Sequence, residues 1–381
     1  MEYRPLGKTG LTVSAVGIGT EHLDGRPYEK VEEVIYAAHA AGISMMDLFM
    51  PGQTIRGDIG RALKGIRKDF VIQGAIGSVD LREQYDISRD LDTCKRYFDD
   101  LLTALDTDYI DCGMFFFMDT MEALQQIQDN GVAAYASELK RQGVLRHIGA
   151  TSHNPLVARK MVEMGLLETL MFSINPAFDM NPATATLDNM LVEMGDHRLQ
   201  GVDPDRAALY LLCEQKGIGI TSMKTLGAGK LLSAEHTPFQ APLTVAQCIH
   251  YALSRPGVAS VMLGYSSAEQ IQEALKYLTA TEQEKDYQAL IQGYTGLMQG
   301  ACVYCSHCQP CPVQIDIASV HRYLDIAKLD ADNVPPSVRQ HYASLGAHGG
   351  DCIACGQCET RCPFGVEIIR NMGAAAEVFG Q

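Results

Sequence analysis

Eight of the chain's twelve cysteines stand in two short runs near its end. The first is Cys302-x2-Cys305-x2-Cys308-x2-Cys311-Pro312, and the second is Cys352-x2-Cys355-x2-Cys358-x3-Cys362-Pro363. Thiolates are soft anionic ligands. In a reducing compartment disulfides are disfavoured, so cysteines packed this closely read as metal ligands. Cys94, Cys112, Cys213 and Cys248 are scattered, and read as small buried hydrophobes.

Each run resembles the bacterial ferredoxin run that binds a [4Fe–4S] cluster. The two-residue spacing lets three thiolates of one loop reach three corners of one cube. The cysteine before proline points away, and in two-cluster ferredoxins it serves the other cluster. That resemblance implies one cluster on Cys302, Cys305, Cys308 and Cys362, and a second on Cys352, Cys355, Cys358 and Cys311. The first run is one residue short of the usual spacing before its Cys-Pro. A pair of zinc sites is the alternative, although four successive cysteines closed by proline, twice, exceed what zinc needs. Clusters of this kind pass single electrons, so a two-cluster module implies a path between a donor and an acceptor; a structural role is the other reading.

Something must hold a substrate near those clusters. The first 295 residues or so repeat one pattern, a strand-length apolar run followed by an amphipathic helical stretch. Strands are predicted over 13–19, 44–48, 70–75, 109–116, 146–151, 170–174, 219–223 and 258–263, and helices include 29–41, 88–105, 121–142, 156–164 and 205–216. Eight such repeats fit a (β/α)8 TIM barrel better than a doubly wound open sheet, for which no GxGxxG turn follows the first strand. The opening residues, around Gly7 and Gly10, predict a β-hairpin. After Leu297 the texture changes. A helix is predicted over 317–329, and a second short one follows Pro335-Pro336 to about Leu345. The expected domains are a barrel over 1–297 and a small α-helical ferredoxin-like iron–sulfur domain over 298–381.

Of the 381 residues 46% are hydrophobic, enough for a large core, and the formal net charge is −15. That acidity argues against nucleic acid or an anionic membrane as partner. No apolar run approaches a membrane span, and MEYRPLGKTG lacks a signal-type apolar stretch, so a cytoplasmic location is expected. Oxidisable clusters point to an anaerobic or oxygen-poor cell.

Several segments resemble the aldo/keto reductase superfamily: the opening MEYRPLGKTGLTVSAVGIGT, DIGRAL at Asp58–Leu63, DYID at Asp108–Asp111, and GVLRHIGATSH at Gly143–His153. MKTLGAGKL at Met223–Leu231 and the stretch from Gln247 to Leu275 complete the set in the family's order. The cysteine module resembles the subgroup with a C-terminal ferredoxin-like domain. The resemblance implies a site at the C-terminal ends of the strands, with an Asp, Tyr, Lys and His around the substrate carbonyl and hydride from a nicotinamide. Asp47 matches the Asp. Gly52, Ala75 and Phe116 stand where Tyr, Lys and His belong. Without the proton donor and its partners, standard carbonyl reduction is not expected.

For a nucleotide, the resemblance points to Gly227, Gly229, Ser266 and Ser267 at the pyrophosphate and to Glu273 at the adenine. Ser152 and Asn175 stand among the strand-end candidates for cofactor contact. Tyr265 and Gln270 stand where NADP-users carry cations, so NAD is favoured over NADP. The catalytic candidates are Asp47, His153 and Lys224, with an Asp47–Lys224 ion pair as the structural alternative. Phe116 in the site would suit a ring-bearing substrate. The leading reading is an oxidoreductase acting on a small molecule, with electrons passing through the clusters to or from ferredoxin or another redox protein. The second is a lyase, dehydratase or isomerase with structural clusters, and the third a non-catalytic electron-transfer subunit.

Overall fold

The computed structural model describes residues 1–81, 84–180, 203–239, 241–287, 300, 302, 308–329, 334–362 and 365–381. Its centre is a closed barrel of eight parallel strands, Val16–Gly19, Met45–Leu48, Val71–Ile76, Ile110–Phe115, Leu145–Ser152, Thr169–Ser173, Gly219–Met223 and Val258–Gly264. Each strand pairs with its sequence neighbour, and the eighth closes on the first through Val261↔Val16. All eight predicted strands are present, within a residue or a few at each end.

Continuous apolar runs make these strands because both faces are covered. The outer faces meet the helix ring in one large core. The inner faces form a separate cluster around Met45, Cys112, Met114, Met171 and Met262. The hairpin Tyr3–Pro5/Thr12–Ser14 sits at the N-terminal ends of the strands, where Leu6 and Val13 join the inner cluster. Gly7 (φ +56°) is required there, since a Cβ would lie 2.4 Å from the Gly217 carbonyl.

Two elements depart from expectation. The predicted helix over 121–142 is two helices, Met121–Asp129 and Val132–Arg141, broken where Gly131 takes φ +80°. A second hairpin, Ser78–Leu81/Gln84–Ile87, follows the third strand. The capping residues Asp90, Thr120, Asn154 and Asp203 start their helices by accepting backbone N–H bonds.

The C-terminal region holds the helices Ile317–Leu329, Pro336–Ala343, Gln357–Arg361 and Ile368–Phe379. Tyr342 stacks on Phe379 at 4.0 Å. The proposed boundary near residue 298 lies outside the described residues. The module docks on the helix Pro204–Lys216, where Leu211 packs against a cluster containing Ile326 and Val338. Arg322 Nη2 donates to the Ser254 carbonyl at 3.2 Å. Ser254 precedes the eighth strand, so this contact lies at the end of the barrel opposite the strands' C-termini. No described helix is long and apolar enough to cross a membrane.

Candidate active site and cluster cavity

A cavity of about 310 Å³ opens at the C-terminal ends of the strands. Asp47, His153 and Lys224 all line it, with Glu21, His22 and Gly229. Phe49, Tyr85, Phe116 and Phe117 form an aromatic wall, and Met171, Met223 and Met262 line it toward the barrel interior.

Asp47 ends the second strand and is 5% exposed. Burial pushes its carboxyl up to about 7, and the nearby Glu21 charge adds to the rise. Asp47 therefore keeps its proton well above the usual carboxylate range and can give it up. Among the described residues no ion pair or hydrogen bond joins it to Lys224, so the structural alternative of an Asp47–Lys224 pair is not found. Lys224 follows the seventh strand with φ +57°, a left-handed conformation uncommon for a residue with a Cβ.

His153 follows the fifth strand and forms a dyad. Its Nδ1 lies 2.9 Å from Asp119 Oδ2, and its backbone N–H donates to Asp119 Oδ1 at 2.6 Å. Burial opposes ionisation of Asp119, yet these bonds and the Ser152 hydroxyl hold its carboxyl below the usual range. An ionised carboxylate only accepts, so Nδ1 carries the ring proton. In the neutral form of the ring Nε2 is then the acceptor, and among the described residues it is buried without a hydrogen-bond partner. That is the arrangement of a general base, with the base oriented by a carboxylate.

The wall is made by three segments. Phe49 and Phe116 stack at 5.4 Å, and Tyr85 from the second hairpin meets both edge-on at 5.3 and 5.8 Å. Arg89 Nη2 donates to the carbonyls of Phe116 and Phe117, fixing Phe117 at φ +54°. Phe116 thus faces the site, as the sequence allowed. Gly52 caps a helix, and Gly52 and Ala75 lie outside the lining.

The nucleotide candidates divide. Gly229 and its neighbour Ala228 line the cavity, both at positive φ. Gly227 is buried behind them, its N–H on the Lys224 carbonyl. Ser152 is fully buried, its hydroxyl on Met118, and Asn175 spends its amide on Phe178 N–H and the Lys224 carbonyl. Ser266 bonds Gln270, Ser267 begins the helix Ala268–Leu275, and the exposed Glu273 pairs with Lys276. None of these five residues from Ser152 to Glu273 lines the cavity. Tyr265 is 2% exposed, so its ring is core and does not stand in a phosphate site. A nicotinamide nucleotide is met here only in part.

A second cavity lies in the C-terminal module. Cys311, Cys352, Cys355 and Cys358 line it together with Ile317, Ile353, Ile368 and Met372. Four cysteine sulfurs in an apolar shell are the donor set a [4Fe–4S] cluster takes, and among the described residues no three such side chains stand as a single-metal-ion site. Of the other set, Cys302, Cys308 and Cys362 are described and Cys305 lies outside the described residues. Arg361 Nη2 donates to the carbonyls of Cys308 (3.0 Å) and Pro310 (2.7 Å), which brings Cys362 beside the first run.

Nothing in the sequence pairs Asp119, just past the fourth predicted strand, with His153, and Phe49 and Tyr85 carried no signal as lining. Tyr85 comes from a hairpin whose alternation does not announce that it folds over the mouth.

A parallel barrel with a buried carboxyl and a carboxylate-bonded histidine at its strand ends is joined here to a module with a cysteine-lined cavity. Residues 15–244 match the aldo/keto reductase family, and the chain belongs to that family. Residues 301–367 match a 4Fe-4S dicluster domain. The chain is 26% identical to the uncharacterized oxidoreductase YqkF of Bacillus subtilis over 317 residues, 77% of this chain and 97% of that protein. It is also 26% identical to L-galactose dehydrogenase of Arabidopsis thaliana over 318 residues, 74% of this chain and 89% of that protein. Among solved structures it resembles the aldo-keto reductase AKR11C1 of Bacillus halodurans in its holo form, with TM-score 0.59 and 22% identity over 78% of this chain and 96% of that one. The protein is thus an oxidoreductase of aldo/keto reductase type with a 4Fe-4S dicluster domain.

Proposed function

We propose that this enzyme carries out a proton-coupled redox reaction on a small ring-bearing alcohol or carbonyl compound. Electrons exchange through two [4Fe–4S] clusters with ferredoxin or another redox protein, in the cytoplasm of an oxygen-poor cell. The observation that carries the reading is the buried, unpartnered Nε2 of His153, aimed by Asp119. It supplies the proton acceptor that the missing family Tyr, Lys and His do not. In the oxidation direction His153 Nε2 takes the hydroxyl proton and the Asp47 carboxylate takes the proton of the carbinol C–H, while the two electrons of that bond would pass one to each oxidised cluster. The ionised Asp119 steadies the imidazolium that results. Asp47 faces the same cavity as a proton donor for the reverse direction, and Lys224 places a positive charge where an oxyanion develops. The aromatic wall binds the ring. Cys302, Cys305, Cys308 and Cys362 would hold one cluster, and Cys311, Cys352, Cys355 and Cys358 the other; bound clusters supply one-electron transfer. Of the residues expected to hold NAD, only Gly229 lines the mouth.

The test is anaerobic reconstitution followed by titration with reduced ferredoxin or NADH, monitored by cluster absorbance and electron paramagnetic resonance. Reduction by either, lost on removing one cluster ligand, supports electron exchange. Clusters that neither donor reduces refute it. A second reading, a lyase or isomerase, is favoured by the joint presence of Asp47 and His153 as acid and base. Turnover indifferent to cluster redox state would establish that reading instead.

A further inference from the structure

We propose that Arg206, with Asp179, is a positioning residue for His153; the inference rests on the reading of His153 as the proton acceptor. Arg206 is 1% exposed and Asp179 is fully buried. Arg206 Nε donates to Asp179 Oδ1 at 3.1 Å, its Nη1 to the His153 carbonyl at 3.4 Å, and its Nη2 to the Ser173 carbonyl. The guanidinium lies over the Phe172 ring, 4.7 Å from its centroid. Asp179 accepts two further bonds, from the Tyr210 hydroxyl at 2.5 Å and the Tyr251 hydroxyl at 2.9 Å.

Taking both charges out of water costs several kcal/mol per ion, and apolar packing of the same volume serves stability as well or better. Stability is therefore a poor account of the pair. Its geometry gives another. A planar guanidinium with donors in a fixed fork ties the C-terminal ends of the fifth and sixth strands together through two carbonyls, one of them belonging to His153. Asp119 fixes Nδ1 of the imidazole from one side, and Arg206 fixes the backbone that carries the ring from the other. The same segment reaches Lys224: Asn175 caps the helix Pro176–Asp179 and donates Nδ2 to the Lys224 carbonyl at 2.8 Å. One buried block therefore carries the backbone of both basic residues at the mouth.

The experiment uses the full-length, iron-loaded protein under anaerobic conditions with oxidised clusters, labelled with ¹⁵N-histidine. The His153 signal is assigned by its loss in His153→Gln. Wild type is expected to show one Nδ1–H tautomer. Arg206→Lys keeps the charge beside Asp179 but cannot span two carbonyls. It is expected to split or broaden the His153 signal and shift its titration midpoint, with iron content and Tm near wild type. A His153 signal and titration superimposable on wild type overturns the proposal. Should Arg206→Lys fail to fold, Tyr251→Phe, which removes one donor from Asp179, is measured in the same way. A loosened His153 signal there supports the proposal, and an unchanged one overturns it. Wild type without the Nδ1–H tautomer overturns the reading of His153 as base, separately from any effect of Arg206.

Discussion

Replacing Asp47 by Asn should remove a pH dependence from the stability of the barrel. The Asp47 carboxyl ionises near 3.8 in an unstructured chain, and burial, with Glu21 adding repulsion, pushes it up to about 7 in the fold. Between those values the native state holds a proton that the unfolded chain has released. Stability from this group is therefore fully present below about pH 3.8. It falls as pH rises through the window and levels off above about 7. A rise of about three units, at about 1.4 kcal/mol each, sets a ceiling of about 4 kcal/mol on the loss. Water in the open mouth screens the charge and brings the measured figure below that ceiling. Asn has the same shape and cannot ionise. Urea unfolding followed by tyrosine fluorescence, under anaerobic conditions at pH 5, 6 and 8, gives the difference between variant and wild type. The advantage of Asp47→Asn should grow steadily with pH. Glu21→Gln should reproduce a smaller part of it, since Glu21 is the lesser cause. A difference that stays constant from pH 5 to 8 refutes the argument.

His153→Gln and Asp119→Asn should each lower kcat/KM for a ring-bearing alcohol by about 10²- to 10⁴-fold, the range for losing a general base, while leaving cluster content unchanged. Near wild-type turnover in His153→Gln would exclude it as the base. Phe116→Ala removes the ring that stacks on Phe49, and should raise KM more than it lowers kcat; steady-state kinetics with ring-bearing and open-chain substrates checks this. Cys358→Ser should halve the iron and labile sulfide content by removing one of the two clusters, and a full complement of both would remove Cys358 from the ligand set.

The barrel was legible because its period is strong: eight apolar runs separated by helical patterns leave few other ways to cover both faces of every strand. Strand ends were legible for the same reason, which is why Asp47, His153 and Lys224 meet in one cavity. The break at Gly131 was missed because the apolar periodicity runs on across it, although Asn130-Gly131 is itself a turn signal. The dyad was half-visible. His153 and Asp119 lie 34 residues apart, and their meeting depends on the register of the fourth and fifth strands, which apolar patterns do not fix. The nucleotide residues show the converse. Ser152 and Asn175 sit at strand ends, where cofactor contact was expected, yet their hydrogen bonds are spent inside the protein. Cysteine spacing was the most direct signal, because cluster ligation is dictated by local geometry. Cys311 lines the cavity that holds Cys352, Cys355 and Cys358, the set that the ferredoxin resemblance implies.

With the three methionines that line the mouth, Met171, Met223 and Met262, air has two targets in this enzyme, the clusters and these thioethers. Loss of iron and sulfide from the module is one, and replenishing both reverses it. Oxidation of a thioether to its sulfoxide is the other: it turns an apolar, pliant surface polar and chiral, and only a dedicated reductase restores it. Damage on the two sides of the molecule accrues independently. A preparation that has aged in oxygen can thus regain its full brown colour on reconstitution and still bind its substrate poorly.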